Sequence, residues 1–378
     1  MAPQINENEI NWTDGMKLNK DHLIEHDHWI QEGIRGIASI QLTDYNYGLL
    51  SKGMNSPIEI LVNIDQNSQM NIKVTDCRAI TKGGRRIEIR AENIKAIQYP
   101  LEKLSLDFNI ADATSELFDI ILAVYPDRRV PVGTPDENEI PFRHPWVMPE
   151  YQIQIVPTKQ VNTSQMWNNH VTIGKFQVVA REVHFYTEYI PPCTSIEAHP
   201  SLLEFYNKFG NNIEKITNAL AEYLRKNRTM QGKLESNISY VFEKLVYYLT
   251  VNLDHFKLVL KSQPPVFMIE FFVSFARLFK SALSWLSEYD REDVMNHFSH
   301  WISSRDIDNA AFELVNLNYD HQDIYASLKK VENYLTLVHD LFEKMVFSGK
   351  QTPPIRETAP PKRSRYGPVI IRDGKKIN

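Results

Sequence analysis

Only two of the 378 residues are cysteine, Cys77 and Cys193; they stand far apart and match no metal-ligand spacing. That argues against a disulfide framework and suits a reducing compartment. Long apolar runs are missing too. The most membrane-like stretch, Pro264 to Leu286, is broken by Glu270, Arg277 and Lys280. It falls short of the roughly 20 apolar residues a span needs and reads as a buried bundle helix. The opening MAPQINENEINW has neither the basic region nor the apolar core of a signal peptide, so the expectation is a cytosolic protein. Nor is one sign of charge in excess: Lys+Arg 42 against Asp+Glu 47 gives −5. No overall basic bias draws the chain to nucleic acid, and any polyanion contact must be local. No solenoid-type repeat is present.

Catalytic signatures are equally scarce. The segment Lys82-Gly83-Gly84-Arg85 lacks the GxxxxGK[ST] pattern and joins two strand-like runs, so it is a hairpin turn and not a phosphate cradle. GxSxG does not occur. Cys193 follows two prolines, with His184 and His199 close only in sequence, and reads as a small packing residue. In NWTDGMKLNKDHLIEHDHW, residues 11 to 29, His22 and His26 are four apart and share a helical face, an arrangement that can supply two zinc ligands. His28 points elsewhere, a third ligand would have to come from afar, and Glu25 directly before His26 does not make HExxH. The expectation is therefore no enzyme, no catalytic residue, no metal and no cofactor. A metal-dependent enzyme using His22 and His26 is the disfavoured alternative.

What is present is enough for real cores: 43% hydrophobic and 11% aromatic residues in a chain long enough for two or three domains. Asn19 is a candidate cap for a helix that keeps Leu23, Ile30, Ile34 and Ile37 near one face and ends around Leu42. From about Gly48 to Tyr189 the text changes to short β-type runs such as IEILVNI, RRIEIRA, LFDIILAVY and VTIGKFQVV. Ile72 and Val74 before the TKGG turn, and Ile87 and Ile89 after it, suit a half-exposed hairpin. Many short strands predict an antiparallel sandwich, from which the proline-rich segment 130–149 makes an extended excursion. After YIPPCTSIEAHP the chain reads as helix from Ser201 to Phe347. Leu202, Phe209, Ile213, Ile216 and Leu220 recur at threes and fours, as do Leu234, Ile238, Val241, Leu245 and Leu249. Asp320 is the expected cap of a last helix whose seam includes Leu328, Leu335 and Val338, residues that could line the bundle or face another subunit. The predicted divisions are 1–42, a docking segment and helix; 43–190, a β-sandwich; 191–349, a helical bundle; and 350–378, a tail. The tail carries eight basic against two acidic residues, so residues 1–349 hold a charge of −11. Its Lys362, Arg363, Arg365 and the β-prone Val369, Ile370 and Ile371 are candidate docking residues.

Three stretches together resemble one family, the TssK baseplate components of bacterial type VI secretion systems. They are Trp12-Thr13-Asp14-Gly15-Met16 with Leu18 and His22; Tyr189-Ile190-Pro191-Pro192-Cys193; and Tyr319-Asp320-His321. The resemblance covers residues 8 to 347. It implies an α+β, multidomain, non-enzymatic assembly protein: an N-terminal antiparallel β-sandwich shaft like that of phage receptor-binding proteins, then an α-helical bundle, in a homotrimer. Its implied partners are its own copies, the TssF and TssG wedge proteins, and an envelope-embedded membrane complex. There is no implied nucleic acid and no membrane span of its own, and the implied location is the cytoplasmic face of the inner membrane. Trp12, Met16, Leu18 and His22 are then expected to dock on shaft or wedge surfaces, the alternative being that they plug their own sandwich. After Phe347 the chain has the short basic tail where the family usually has a folded head, which implies a different membrane-side partner. A phage-tail receptor-binding protein or adhesin is the runner-up reading.

Overall fold

The computed structural model describes residues 8–51, 58–65, 68–113, 117–163, 168–229 and 232–347. Helix α1 (Lys20–Ser39) opens the fold, with Asn19 Oδ1 accepting the His22 amide N–H at 3.0 Å. One antiparallel sheet follows, built on the 12-residue strand β3 (Gln69–Ile80). Around it pair β1 (Gly48–Leu49), β2 (Ile58–Ile64), β4 (Arg86–Ile89) and β5 (Ser105–Asn109). Met70, Ile72 and Val74 alternate inward along β3; the inward set then steps by one residue to Cys77 and Ala79. The step coincides with a register shift against β2 between Glu59 and Ile60, as an extra residue in one strand requires. Beyond the turn, Ile87 and Ile89 pair with Ala79 and Cys77.

The second antiparallel sheet has the order β7-β6-β8-β9: β6 (Leu117–Val132), β7 (Trp146–Pro157), β8 (His170–Val179) and β9 (Glu182–Phe185). Every residue from Phe118 to Val124 of β6 is buried, so both faces of this central strand are covered. The two sheets share a core in which Phe108 of β5 meets Phe118 of β6 and Phe176 of β8 edge-on, at 5.6 and 5.7 Å between ring centroids. The proline-rich excursion is the loop of the β6–β7 hairpin, and Val130 to Val132 still pair with Met148 to Trp146.

Helices occupy the rest: α3 (Pro200–Lys226), α4 (Lys233–Leu258), α5 (Pro265–Ser284), α6 (Glu288–Phe298), α7 (Ser304–Val315) and α8 (Ile324–Phe347), the short α2 (Ala91–Ala96) lying between β4 and β5. Pro200 and Pro265 sit in first turns, where their missing N–H costs nothing. Ser287 and Ser303 cap α6 and α7 through the amides of Asp290 and Asp306. The apolar faces converge on an aromatic centre with Phe209 against Phe272 at 5.2 Å and Phe242 against Phe342 at 4.8 Å. The stretch around Phe271 and Phe275 lies buried in α5, and no helix among the described residues is long and apolar enough to cross a membrane. One expectation needs correcting. Asp323, not Asp320, precedes α8 and accepts the Ala326 amide at 3.3 Å, because Asp320 closes its own turn onto the Gln322 amide at 2.8 Å.

Candidate functional site: a two-motif junction and the first helix

The segment Tyr47-Gly48-Leu49 is where the sheets meet the helices. Leu49 donates its N–H to the Pro192 carbonyl at 2.7 Å, and its own carbonyl accepts from both the amide and the hydroxyl of Thr194, each at 2.9 Å. On its other side Leu49 pairs with Ala79 of β3. Gly48 holds φ at +108°, and a Cβ there would lie 2.0 Å from the Pro192 carbonyl oxygen, so only glycine fits. Cys193 is fully buried, with Sγ 3.1 Å from the Pro191 carbonyl oxygen, and burial pushes its thiol pKa well up. It is a packing residue with no thiolate chemistry at neutral pH.

From the helical side, the loop before α8 reaches the same point. The Nε2 of His321 lies 2.9 Å from the Tyr47 carbonyl oxygen and its Nδ1 2.7 Å from the Tyr319 hydroxyl. A carbonyl can only accept, so Nε2 carries the proton and Nδ1 accepts from Tyr319. Burial lowers the His321 pKa to about 4, outweighing the bond to Tyr47, so the ring is neutral at pH 7. Gln322 donates to the Tyr47 hydroxyl at 2.6 Å. Burial raises the Tyr47 pKa to about 12. Two of the three motifs singled out in the sequence, Tyr189–Cys193 and Tyr319–His321, thus clamp one short strand. Sequence reasoning missed Tyr47 and Gly48; their only local signal is a lone glycine at the start of a strand.

Beside the junction lies a cavity of about 360 Å³ lined by Asp44, Lys82, Asp119, His170, Lys175 and Asp320 among others. Burial raises the Asp119 pKa even though the Thr158 hydroxyl donates to it at 2.6 Å and the Lys175 ammonium lies 3.9 Å away. Asp44 pairs with Lys82 at 2.7 Å. The opposite charges answer one another across this space.

The third motif sits apart, at α1. Gly15, at φ +81°, is the third residue of the turn closed by the Met16 amide on the Thr13 carbonyl. The Trp12 ring stands edge-on to His26 at 5.8 Å, and His26 stacks on Trp29 at 5.8 Å. Trp12 and Leu18 are 45% and 61% exposed, Met16 and His22 partly buried. Trp12 and Leu18 therefore do not plug the core between the sheets. Among the described residues no third ligand atom joins His22 and His26; the only group of three His, Cys, Asp or Glu donors close enough for a metal is His339, Asp340 and Glu343 on α8.

Helix α1 rests on the β3–β4 turn through charge. Glu32 is buried and bridges Arg35 and Arg85, and Asp27 lies 3.7 Å from Arg129. Burial, then the neighbouring Arg85 charge, lowers the Arg35 pKa. The α8 seam is a different matter. Leu328, Leu335 and Val338 are at most 1% exposed, enclosed by α3, α5 and α7 of the same chain. They line the bundle, and this fold offers none of them to another subunit. Lys362, Arg363, Arg365, Val369, Ile370 and Ile371 lie outside the described residues.

No protein-family model matches the chain, and no curated protein does. Among solved structures, a crystal structure of TssK matches with a TM-score of 0.52 at 12% identity, over 90% of this chain and 69% of that one. A chain of the baseplate complex from the type VI secretion system matches with a TM-score of 0.50 at 13% identity, over 89% of this chain and 100% of that one. What is shared at such identities is the fold: antiparallel sheets followed by helices, in a TssK-like arrangement.

Proposed function

We propose that this TssK-like chain is a structural component of a type VI secretion baseplate, an adaptor that joins the TssF and TssG wedge to an envelope membrane complex. In this reading residues 43–190 form the β-sandwich shaft, 191–349 the bundle, 1–42 the docking segment and 350–378 the membrane-side tail. The working unit is a homotrimer at the cytoplasmic face of the inner membrane. The observation that carries the proposal is the match to the TssK crystal structure over 90% of the chain. The sequence motifs support it, because two of them meet at one strand in the middle of that fold.

An adaptor performs no bond chemistry; its task is to hold two assemblies at a fixed relation. The Tyr47–Leu49 clamp suits that task, since it ties sheets to helices by directed hydrogen bonds with no charged group that a modest pH change would switch. Trp12 and Leu18, exposed at α1, are the proposed wedge contacts.

Co-purification of the tagged chain from its native cell tests the proposal. The expected result is TssF and TssG in the eluate with a complex mass that fits three copies of this chain. Recovery with capsid or lysis proteins would replace the reading by a phage-tail receptor-binding protein. Stoichiometric zinc or iron that disappears in a His22→Ala, His26→Ala variant would replace it by a metalloenzyme.

A further inference from the structure

Helix α1 does not lie flat on the sheets. Between them is a cavity of about 350 Å³, walled by α1 from Asp27 to Ala38, by the β3–β4 turn and by the β6–β7 hairpin. It sits where β6 bulges between Tyr125 and Arg129, whose partners Glu150 and Pro149 are adjacent on β7. The lining is of two kinds. Arg35, Arg85, Arg86 and Arg129 bring four guanidiniums against the single carboxylate of Asp27, while Ile34, Ala38, Val124 and Met148 supply apolar surface. The arginines are under-neutralised. Glu32 alone serves both Arg35 and Arg85, and Glu88 serves Arg86 while also pairing with Arg78 and Arg90. Among the described residues Arg129 has only Asp27, at 3.7 Å, with that carboxylate 59% exposed. Six arginines thus share three carboxylates, and Asp127, which acts on Arg35 from farther away, brings the excess down to two positive charges. Residues 1–349 as a whole carry −11, so this excess is local. A second, independent observation concerns hydrogen bonds. The Nε atoms of Arg35 and Arg85 are buried and have no partner among the described residues, a costly state for a charged donor. Burial, then the Arg85 charge, also lowers the Arg35 pKa, against the pull of Glu32 and Asp127.

The two kinds of lining define the ligand. A guanidinium fork matches a planar oxyanion in charge and in shape, and an arginine–carboxylate pair can form two parallel N–H···O bonds. The apolar lining gains nothing from a bare ion, so the rest of the ligand is aliphatic. At about 30 Å³ per water the space equals roughly a dozen waters, room for a body the size of one amino-acid residue with its charged head. We propose that the cavity between α1 and the sheets binds a carboxylate carried on a short apolar body. The head is held by Arg129 with Arg35 and Arg85, and the body lies against Ile34, Ala38 and Met148. Arg86, already engaged by Glu88 at 2.8 Å, adds charge more than contact. Asp27 is the lining group that repels an anion, and its place beside Arg129 makes it the charge the ligand displaces. A peptide ending in an aliphatic residue has this chemistry, and so has a free molecule with the same two parts. The site shares no lining residue with the cavity at the Tyr47 junction and does not depend on the baseplate reading.

Isothermal titration calorimetry of the full-length chain at low ionic strength tests it. The probes are N-acetylleucine, its neutral counterpart N-acetylleucinamide, and inorganic phosphate as a head without a body. The expected result is one N-acetylleucine bound per chain, with the amide and phosphate each weaker by about tenfold or more. Arg129→Gln should weaken N-acetylleucine by about tenfold or more, and Asp27→Asn should tighten it. Ala38→Phe, which fills the cavity without touching a charge, should abolish binding; circular dichroism checks that each variant keeps its fold. A tetrapeptide of three glycines and a C-terminal leucine that binds more tightly than N-acetylleucine supports the site and assigns it to a chain end. Equal or weaker binding of that peptide supports the site and assigns it to a free molecule. The proposal is overturned by no binding of N-acetylleucine at millimolar concentration, by equal affinity for acid and amide, or by tighter binding of phosphate. Wild-type affinity in folded Arg129→Gln or Ala38→Phe, or weakening by Asp27→Asn, overturns it as well.

Discussion

Gly48 and Gly33 make a pair of opposite cases. Alanine at position 48 forces a Cβ to 2.0 Å from the Pro192 carbonyl oxygen on a backbone at φ +108°, and the expected cost is about 3 kcal/mol or more. Denaturant titration should show the midpoint falling with little change in slope. Alanine at position 33 meets nothing within the chain and should leave its unfolding unchanged or stabilise it by up to about 1 kcal/mol. His321 supplies a pH dependence. Its folded pKa of about 4 lies below the ordinary value of 6.5, so between these values the unfolded chain binds the proton and the folded chain does not. Stability from this group is complete above pH 6.5 and is lost as pH falls from about 6.5 to 4, by about 3 kcal/mol at 1.36 kcal/mol per pH unit. His199, also lowered to about 4 by burial, acts in the same direction. Urea titrations between pH 7 and 4 should show the loss, and His321→Gln should make it smaller.

At the level of elements, the attachment of α1 depends on one carboxylate. Glu32→Ala leaves Arg35 and Arg85, each about 15% exposed, without their partner; the expected penalty is about 2 to 4 kcal/mol. Hydrogen exchange should quicken over Lys20–Ser39 while the α3 and α8 amides keep their protection. The alternating runs of β3 and β6 and the threes and fours of α3 and α4 are legible in the text because their period reports one local geometry. The strand β1 is not, because two residues have no period and its partner Thr194 is 145 positions away. A heptad stripe is ambiguous for the same reason. The α8 stripe is enclosed by its own bundle and the α1 stripe is bare, though both read alike; only tertiary placement separates them. The cap of α8 falls to Asp323, three residues later than expected, since both aspartates are good caps and the tight turn that consumes Asp320 leaves no mark in a helix-period reading.

For the whole molecule, the clamp at Tyr47 and Leu49 ties the sheets to the helices, whose buried apolar residues form one continuous core. Calorimetry of the wild type should give one transition, and His321→Ala, which removes both ring hydrogen bonds, should lower its midpoint. Deleting residues 350–378 should change neither transition nor the oligomer mass, and under the proposed function should abolish only attachment to the envelope. The distance along the chain between clamp and latch also sets a timetable. His321 is 274 residues beyond Tyr47, so on a ribosome adding about 5 to 20 residues per second the latch arrives roughly 14 to 55 s after the strand it locks. During that interval both sheets are already outside the exit tunnel, so they can pack before the contact that locks Tyr47 exists.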